Sequence, residues 1–221
     1  MVIRLLWRSI KEPLYRATLL ERFGFVNFDL EMESDHPVFW VHSVSAGETI
    51  AAIPLIKQLI ACDLKVLVTT MTPTGRERVK SVLGDSVMHC YAPYDLPDAV
   101  SRFLEKVRPQ ALVIIDTELW PNIIHQCSVR NIRTFLVNGR LSARSAAGYR
   151  RVHRLTKGML DELDVVAVQT TSHGERFLGL GLRQDKLVVA GSIKFDHRLP
   201  SDFTARTGIL KSQFGERFIV I

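Results

Sequence analysis

The stretch ALVIIDTELWPN, residues 111–122, changes character at its middle. Ala111 to Ile115 are apolar without interruption and rich in branched side chains, the pattern of a strand buried on both faces. Asp116, Thr117 and Glu118 then set polar and acidic groups at the strand end, and Pro121 suits the first position of a helix. The same strand-to-helix pattern repeats outward in both directions. PVFWVH (37–42), KVLVTTM (65–71) and VMHCYA (87–92) precede it, and IRTFLVN (132–138), DVVAVQ (164–169) and KLVVAG (186–191) follow. Each run is followed by a turn residue and a segment of helical period, which predicts a doubly wound α/β domain with a parallel sheet covered on both faces. Ligands of such sheets bind beyond the carboxyl ends of the strands, so chemistry is sought in the strand-to-helix loops.

The composition agrees with a folded domain. With 221 residues, 47% hydrophobic and 24% charged, the chain is neither disordered, collagenous nor of low complexity. Cys62, Cys90 and Cys127 are odd in number and not near paired histidines, so neither a disulfide framework nor a zinc site is expected. A reducing compartment follows. Twenty-nine Lys and Arg against 23 Asp and Glu give a net charge of +6, which favours an anionic partner: nucleic acid, phospholipid headgroups, or a phosphorylated or carboxylated substrate. No apolar run reaches the ~18 residues of a membrane span, and residues 1–25 lack a signal peptide's apolar core and cleavage site, so a cytoplasmic protein is expected.

Residues 1–25 interleave Leu5, Trp7, Ile10, Leu14 and Phe23 with Arg4, Arg8, Lys11, Arg16 and Arg22. Two readings stand: a basic amphipathic arm lying on an anionic membrane, or a helix packed on its own domain. The domain proper is placed at 36–210. The chain ends on Arg217-Phe218-Ile219-Val220-Ile221, a strand-like run with nothing after it, and residues 215–221 are expected to be the first strand of a further domain of a longer protein.

Four loops carry candidate chemistry. After the first strand, Ser45-Ala46-Gly47-Glu48 puts a carboxylate at the crevice, suited to a general base, although Ser45-x-x-Glu48 is equally a capping-box spacing. After the second, Thr72-Pro73-Thr74-Gly75-Arg76 reads as an anion site at a helix N-terminus or as an ordinary helix start. After the fourth, Glu118 can share a proton-transfer site with Glu48 or hold a sugar hydroxyl, and one of these acids can instead pair with Arg76 or Arg140. After the fifth, NGRLS (138–142) leads into a helix bearing Arg144, Arg150, Arg151, Arg154 and Lys157 within an arc of about 140°, opposite Tyr149, Val152, Leu155 and Met159. Five cations without an acid among them point to a polyanionic partner. Dinucleotide, Walker and zinc-protease motifs are missing from the sequence, and the scattered histidines, His173 among them, are taken as structural.

SVSAGE (43–48), TPTG (72–75), DTELWPN (116–122), NGRLS (138–142) and GSIKFD (191–196), in this order, resemble the bacterial Kdo transferases. The resemblance runs from about Trp7 to the C-terminus. It implies a GT-B fold, of which this chain is the Rossmann-like N-terminal, acceptor-binding half. It implies inverting transfer of 3-deoxy-D-manno-octulosonate from the donor CMP-Kdo to the lipid A precursor lipid IVA, without metal or other cofactor. It also implies residence at the cytoplasmic face of the inner membrane, peripheral or weakly anchored, with no nucleic acid as partner. The family's base maps onto Glu48 and a second functional acid onto Glu118. Ser45, Gly47, Thr72, Thr74, Gly75, Arg76, Arg140, Arg150 and Arg154 are then candidates for holding the acceptor or an anionic group, the arginines by charge pattern.

Three departures are visible. The apolar N-terminal stretch is shorter than is common in the family, SAGE, DTELWPN and NGRLS stand where SVGE, ETELWPN and NARLS are more usual, and the C-terminal domain that holds the donor site is not in the chain. The chain alone is therefore expected to bind acceptor with little or no transfer. The alternative readings are another GT-B glycosyltransferase, or a basic α/β module that binds nucleic acid or membrane without catalysis. No coiled-coil seam marks an oligomer.

Overall fold

The computed structural model describes residues 18–27 and 37–196. The amphipathic reading of residues 1–17, the polar tail at 200–214 and the apolar run at 217–221 lie outside the described residues. Seven strands form one sheet: β1 (Val38–His42), β2 (Lys65–Thr70), β3 (Met88–Tyr91), β4 (Ala111–Ile115), β5 (Arg133–Gly139), β6 (Val165–Val168) and β7 (Leu187–Val189). Their order is β3-β2-β1-β4-β5-β6-β7, and every pairing is parallel. Six of the strands fall within one of the seven apolar runs each, and β5 runs one residue past its own, to Gly139.

The reason those runs are apolar throughout is visible in β4, where alternate side chains enter two separate cores. Leu112 and Ile114 join Trp40, Leu67 and Leu136 on one face, while Val113 and Ile115 join Val41, Val66 and Val68 on the other. Helices α2 (Ala46–Ala61) and α3 (Pro73–Leu83) close the second face through Ile53, Ile56, Val79 and Leu83. The first face is closed by α4 (Pro97–Val107), α5 (Pro121–Val129), α7 (His153–Glu162) and α8 (Thr171–Leu178) through Phe103, Ile124, Leu160 and Phe177. Each such side chain withdrawn from water contributes roughly 2 kcal/mol, and a strand with two dry faces collects this on every residue. Cys90 and Cys127 are buried, unpaired thiols of this core.

Residues 18–27 take the packed form of the two N-terminal readings. Arg22, on the short helix α1 (Leu19–Arg22), is 1% exposed, donates from Nη2 to the Met71 carbonyl at 3.0 Å and lies 4.3 Å over the Tyr91 ring. Glu21 accepts the Tyr91 N–H at 2.8 Å. Gly24 has φ +85°, and a Cβ there would meet the Ala99 carbonyl oxygen at 2.2 Å, so only glycine lets the segment lie down.

One predicted element is corrected. The basic helix expected to run unbroken through residues 144–157 is two helices, α6 (Ala143–Arg150) and α7. The buried Thr156 hydroxyl donates to the Tyr149 carbonyl at 3.0 Å, taking the acceptor that an unbroken helix would give to the N–H of residue 153. Val152 and Leu155, assigned to the apolar face, are 51% and 52% exposed.

The strand order reverses direction between β1 and β4. The loops leaving those two strands therefore flank a crevice at the carboxyl edge of the sheet.

Candidate active site

β1 ends in the buried His42, the buried Ser43 follows it, and Ser45 caps α2. The Ser45 Oγ accepts the Glu48 N–H at 3.4 Å and donates to Glu48 Oε1 at 2.8 Å; the Val44 N–H donates to Oε2 at 2.7 Å. The capping box is thus real, and it clamps a carboxylate in the crevice. Burial pushes the Glu48 carboxyl above its ordinary range, against the downward pull of the Ser45 and Val44 bonds, and the Asp116 charge pushes it up further.

β4 delivers the other acids. Asp116 has φ +61° and Asn138, at the end of the neighbouring β5, has φ +63°, a left-handed conformation that Asp and Asn tolerate best. The Asn138 Nδ2 donates to Asp116 Oδ1, and the Arg140 Nη2 donates to Asp116 Oδ2 at 2.9 Å. Asn138 Oδ1 in turn accepts from Gln169 Nε2 at 2.9 Å and from the Ile193 N–H at 3.3 Å, joining four loops. Glu118 Oε2 accepts the Trp120 Nε1–H at 3.0 Å. Burial raises the Glu118 carboxyl, Trp120 opposes it, and the charges of Glu48 and Asp116 add to the rise. Trp120 meets His42 edge-on at 5.9 Å. Because Trp120 offers no side-chain cap, Asp95 supplies one from a distant loop, accepting the N–H groups of Asn122 at 3.1 Å and Ile123 at 2.8 Å.

The crevice is a cleft of about 510 Å³ lined by Glu48, Asp116, Thr117, Glu118, Arg140, Leu141, Ser142, Ser145, Tyr149 and His173. Of the predicted site residues, it brings together Glu48, Glu118 and Arg140, with Ser45 behind Glu48 and Gly47 exposed on the same turn. A Cβ on Gly47 would meet nothing nearer than the Ser45 Oγ at 3.9 Å, so that glycine leaves open space beside the carboxylate.

The other candidates lie elsewhere. Thr72, Thr74, Gly75 and Arg76 sit at the end of β2 and line no part of this cleft. Thr72 Oγ1 accepts the Gly75 N–H at 3.1 Å, and a Cβ on Gly75 would press on Thr70 and Thr72 at 3.1 Å, so this glycine serves close packing rather than ligand approach. Arg76 pairs with Glu21 at 3.7 Å and lies 5.2 Å over Tyr91. Arg150 and Arg154 are exposed and outside the cleft. The acid partners also differ from expectation: Glu21 serves Arg76 and Asp116 serves Arg140, while Glu48 and Glu118 have no cation partner among the described residues. His42 keeps its structural reading, its ring buried and its Nδ1 2.9 Å from Thr69 Oγ1. His173 meets Leu141 and Arg176 through Nδ1 and also lines the cleft. Asp116, Tyr149 and His173 had no local signal that separated them from capping, core or scattered residues.

Residues 17–197 match the family described as 3-deoxy-D-manno-octulosonic-acid transferase (kdotransferase). The chain belongs to that family. A 3-deoxy-D-manno-octulosonic acid transferase of Haemophilus influenzae is 43% identical over 190 residues, 85% of this chain and 44% of the relative. That of Bordetella pertussis is 35% identical over 166 residues, 73% and 38% of the two chains. The chain thus spans less than half the length of those relatives. Among solved structures, a UDP-GlcNAc 2-epimerase from Neisseria meningitidis superposes with a TM-score of 0.54 at 17% identity over 80% of this chain and 52% of its own. Another UDP-N-acetylglucosamine 2-epimerase gives 0.55 at 14% identity over 73% and 50%. These likenesses establish the Rossmann-like, GT-B-type fold. Among the described residues no three His, Cys, Asp or Glu are grouped to hold a metal, and no helix is long and apolar enough to cross a membrane.

Proposed function

We propose that this chain is the acceptor-binding half of an inverting Kdo transferase that moves Kdo from CMP-Kdo to the lipid A precursor lipid IVA, with Glu48 as the base. The observation that carries the reading is the pair Glu48 and Glu118: two half-buried carboxylates, both shifted upward and without a cation partner among the described residues, at the point where the strand order reverses. A carboxylate raised by burial is the stronger base. Glu48 takes the proton of an acceptor hydroxyl as that oxygen attacks the anomeric carbon, and CMP leaves as an anion that needs little acid assistance. Glu118, held by Trp120, acts on the same hydroxyl, while the Asp116 charge keeps the proton affinity of Glu48 high. Arg140 offers charge-assisted donors to a phosphate or carboxylate of the substrates. No metal or other cofactor is invoked.

Arg150 and Arg154 take a different role from the one read in the sequence. With Arg151 they are exposed and adjacent in sequence to the exposed Val152 and Leu155, a basic and apolar corner suited to an anionic bilayer. The proposed location is peripheral, at the cytoplasmic face of the inner membrane.

The test is transfer from CMP-Kdo to lipid IVA by the full-length protein and by its Glu48→Gln variant, which keeps the amide geometry of the cap. A fall of about 10²–10⁴-fold is expected. Undiminished transfer returns Glu48 to a purely capping role. The 221-residue chain alone should bind lipid IVA without appreciable turnover.

A further inference from the structure

The cleft has a second chemical side. Besides its three carboxylates it is lined by Arg140, Ser142 and Ser145 from the region after β5 and by His173 from α8. The His173 Nδ1 lies 3.2 Å from the Leu141 N–H nitrogen and 3.1 Å from Arg176 Nη1, two donors aimed at one atom. The Leu141 carbonyl is also near, at 3.0 Å, but it already accepts from Arg176 Nη1 at 2.9 Å. Two N–H groups, one of them cationic, converge on Nδ1 against a single carbonyl that it shares with Arg176, an arrangement that favours the lone pair on Nδ1 and the ring proton on Nε2. Nε2 has no partner among the described residues.

The neighbouring donors are spare in the same way. Arg140 gives Nη2 to Asp116 and its remaining guanidinium N–H groups have no partner among the described residues, on a side chain 54% exposed. Ser142 donates its hydroxyl to Ser145 Oγ at 2.9 Å, which leaves the Ser145 O–H to donate elsewhere. A guanidinium, an imidazole N–H and a hydroxyl on one lining, with carboxylates on the rest, suit a molecule carrying an oxyanion beside a hydroxyl.

We propose that His173 is a substrate-binding residue that donates its Nε2–H to an oxyanion, phosphate or carboxylate, held together with Arg140 and Ser145. Leu141 and Arg176 position the ring by occupying Nδ1. The proposal rests on the reading that this cleft receives the reacting substrate, and it assigns the site's anion grip to Arg140, Ser145 and His173, in the segments that follow β5 and β6, rather than to the exposed Arg150 and Arg154.

The experiment uses the full-length, ¹⁵N-labelled protein. Two-dimensional NMR of the histidine rings reads the tautomer and follows Nε2 of His173 as inorganic phosphate, or in a separate arm acetate, is added. The expected result is an Nε2–H tautomer whose resonance moves with one or both probes; the stronger responder tells phosphate from carboxylate. His173→Asn, which keeps a polar atom near Nδ1 but none at Nε2, should weaken binding of the responding probe about tenfold or more, while His173→Gln, whose amide reaches the Nε2 position, should retain most of it. An Nδ1–H tautomer overturns the proposal, as does the reverse order of the two variants, which is what a brace for Leu141 would give. Silence toward both probes together with loss of transfer in Glu48→Gln overturns this proposal and leaves the Kdo-transfer reading standing. A phosphate or acetate response with undiminished transfer in Glu48→Gln upholds the anion site and removes Glu48 as base.

Discussion

Asp116→Asn and Asp116→Ala probe the junction on which the cleft is built. The carboxylate is 14% exposed, and it accepts one hydrogen bond from the Asn138 amide and one from Arg140. Asparagine keeps a single acceptor oxygen and turns an NH₂ toward the second donor. One bond to a charged group is then lost, worth about 1.5–3 kcal/mol when buried and less here because Arg140 is half exposed, so about 2 kcal/mol is expected. The backbone adds nothing, since asparagine accepts φ near +61° as readily as aspartate does. Alanine loses both bonds and resists the left-handed conformation by about 1 kcal/mol more, for a total of about 4 kcal/mol. In a domain of this size each kcal/mol lowers the melting midpoint by about 2–4 °C, so calorimetry should place the alanine variant about twice as far below wild type as the asparagine variant. Asp116→Asn also removes a like charge beside Glu48, so the Glu48 carboxyl, followed by ¹³C NMR, should titrate at lower pH than in the wild type. Equal loss of stability in the two variants would refute the conformational argument, and an unmoved Glu48 titration would refute the electrostatic one.

Asp95→Ala removes the remote cap of α5 and should cost roughly 2 kcal/mol in urea unfolding, with Asp95→Asn costing less because one acceptor survives. His42 is held by burial at a pKa of about 4 against an ordinary 6.5, and His89 by burial, Arg76 and Lys80 at about 3. Both bind their proton more weakly folded than unfolded, so stability is full above about pH 6.5 and is lost as pH falls toward 4 and 3. The His42 share is on the order of 3 kcal/mol. His42→Asn should remove about half of that acid slope, and an unchanged slope would mean the ring is solvated. For the basic corner, Val152→Asp with Leu155→Asp should reduce binding to phosphatidylglycerol vesicles, and Arg150→Ala with Arg154→Ala should cost about 1 kcal/mol per charge removed while leaving phosphatidylcholine binding unchanged.

Much of this architecture is legible in one dimension because its signals are local. Residues 111–115 announce a strand with two buried faces, Ser45 and Thr72 announce helix starts, and each strand end names a loop where a ligand can sit. Glu48 is found this way, and its capping and cleft-facing roles coexist because one carboxylate has lone pairs enough for both. What no local pattern contains is which loops meet. Strand order alone makes β1 and β4 neighbours, and so joins Glu48 to Glu118 while leaving Thr72 to Arg76 at the end of β2, outside the cleft. The pairing of Asp116 with Arg140, the capping of α5 by Asp95, the break between α6 and α7 forced by Thr156, and the turning of His173 into the cleft are likewise decided by groups many residues apart. Helix and strand propensities act over three or four residues, whereas a hydrogen bond or an ion pair acts between whichever groups the packed sheet brings within about 3 Å.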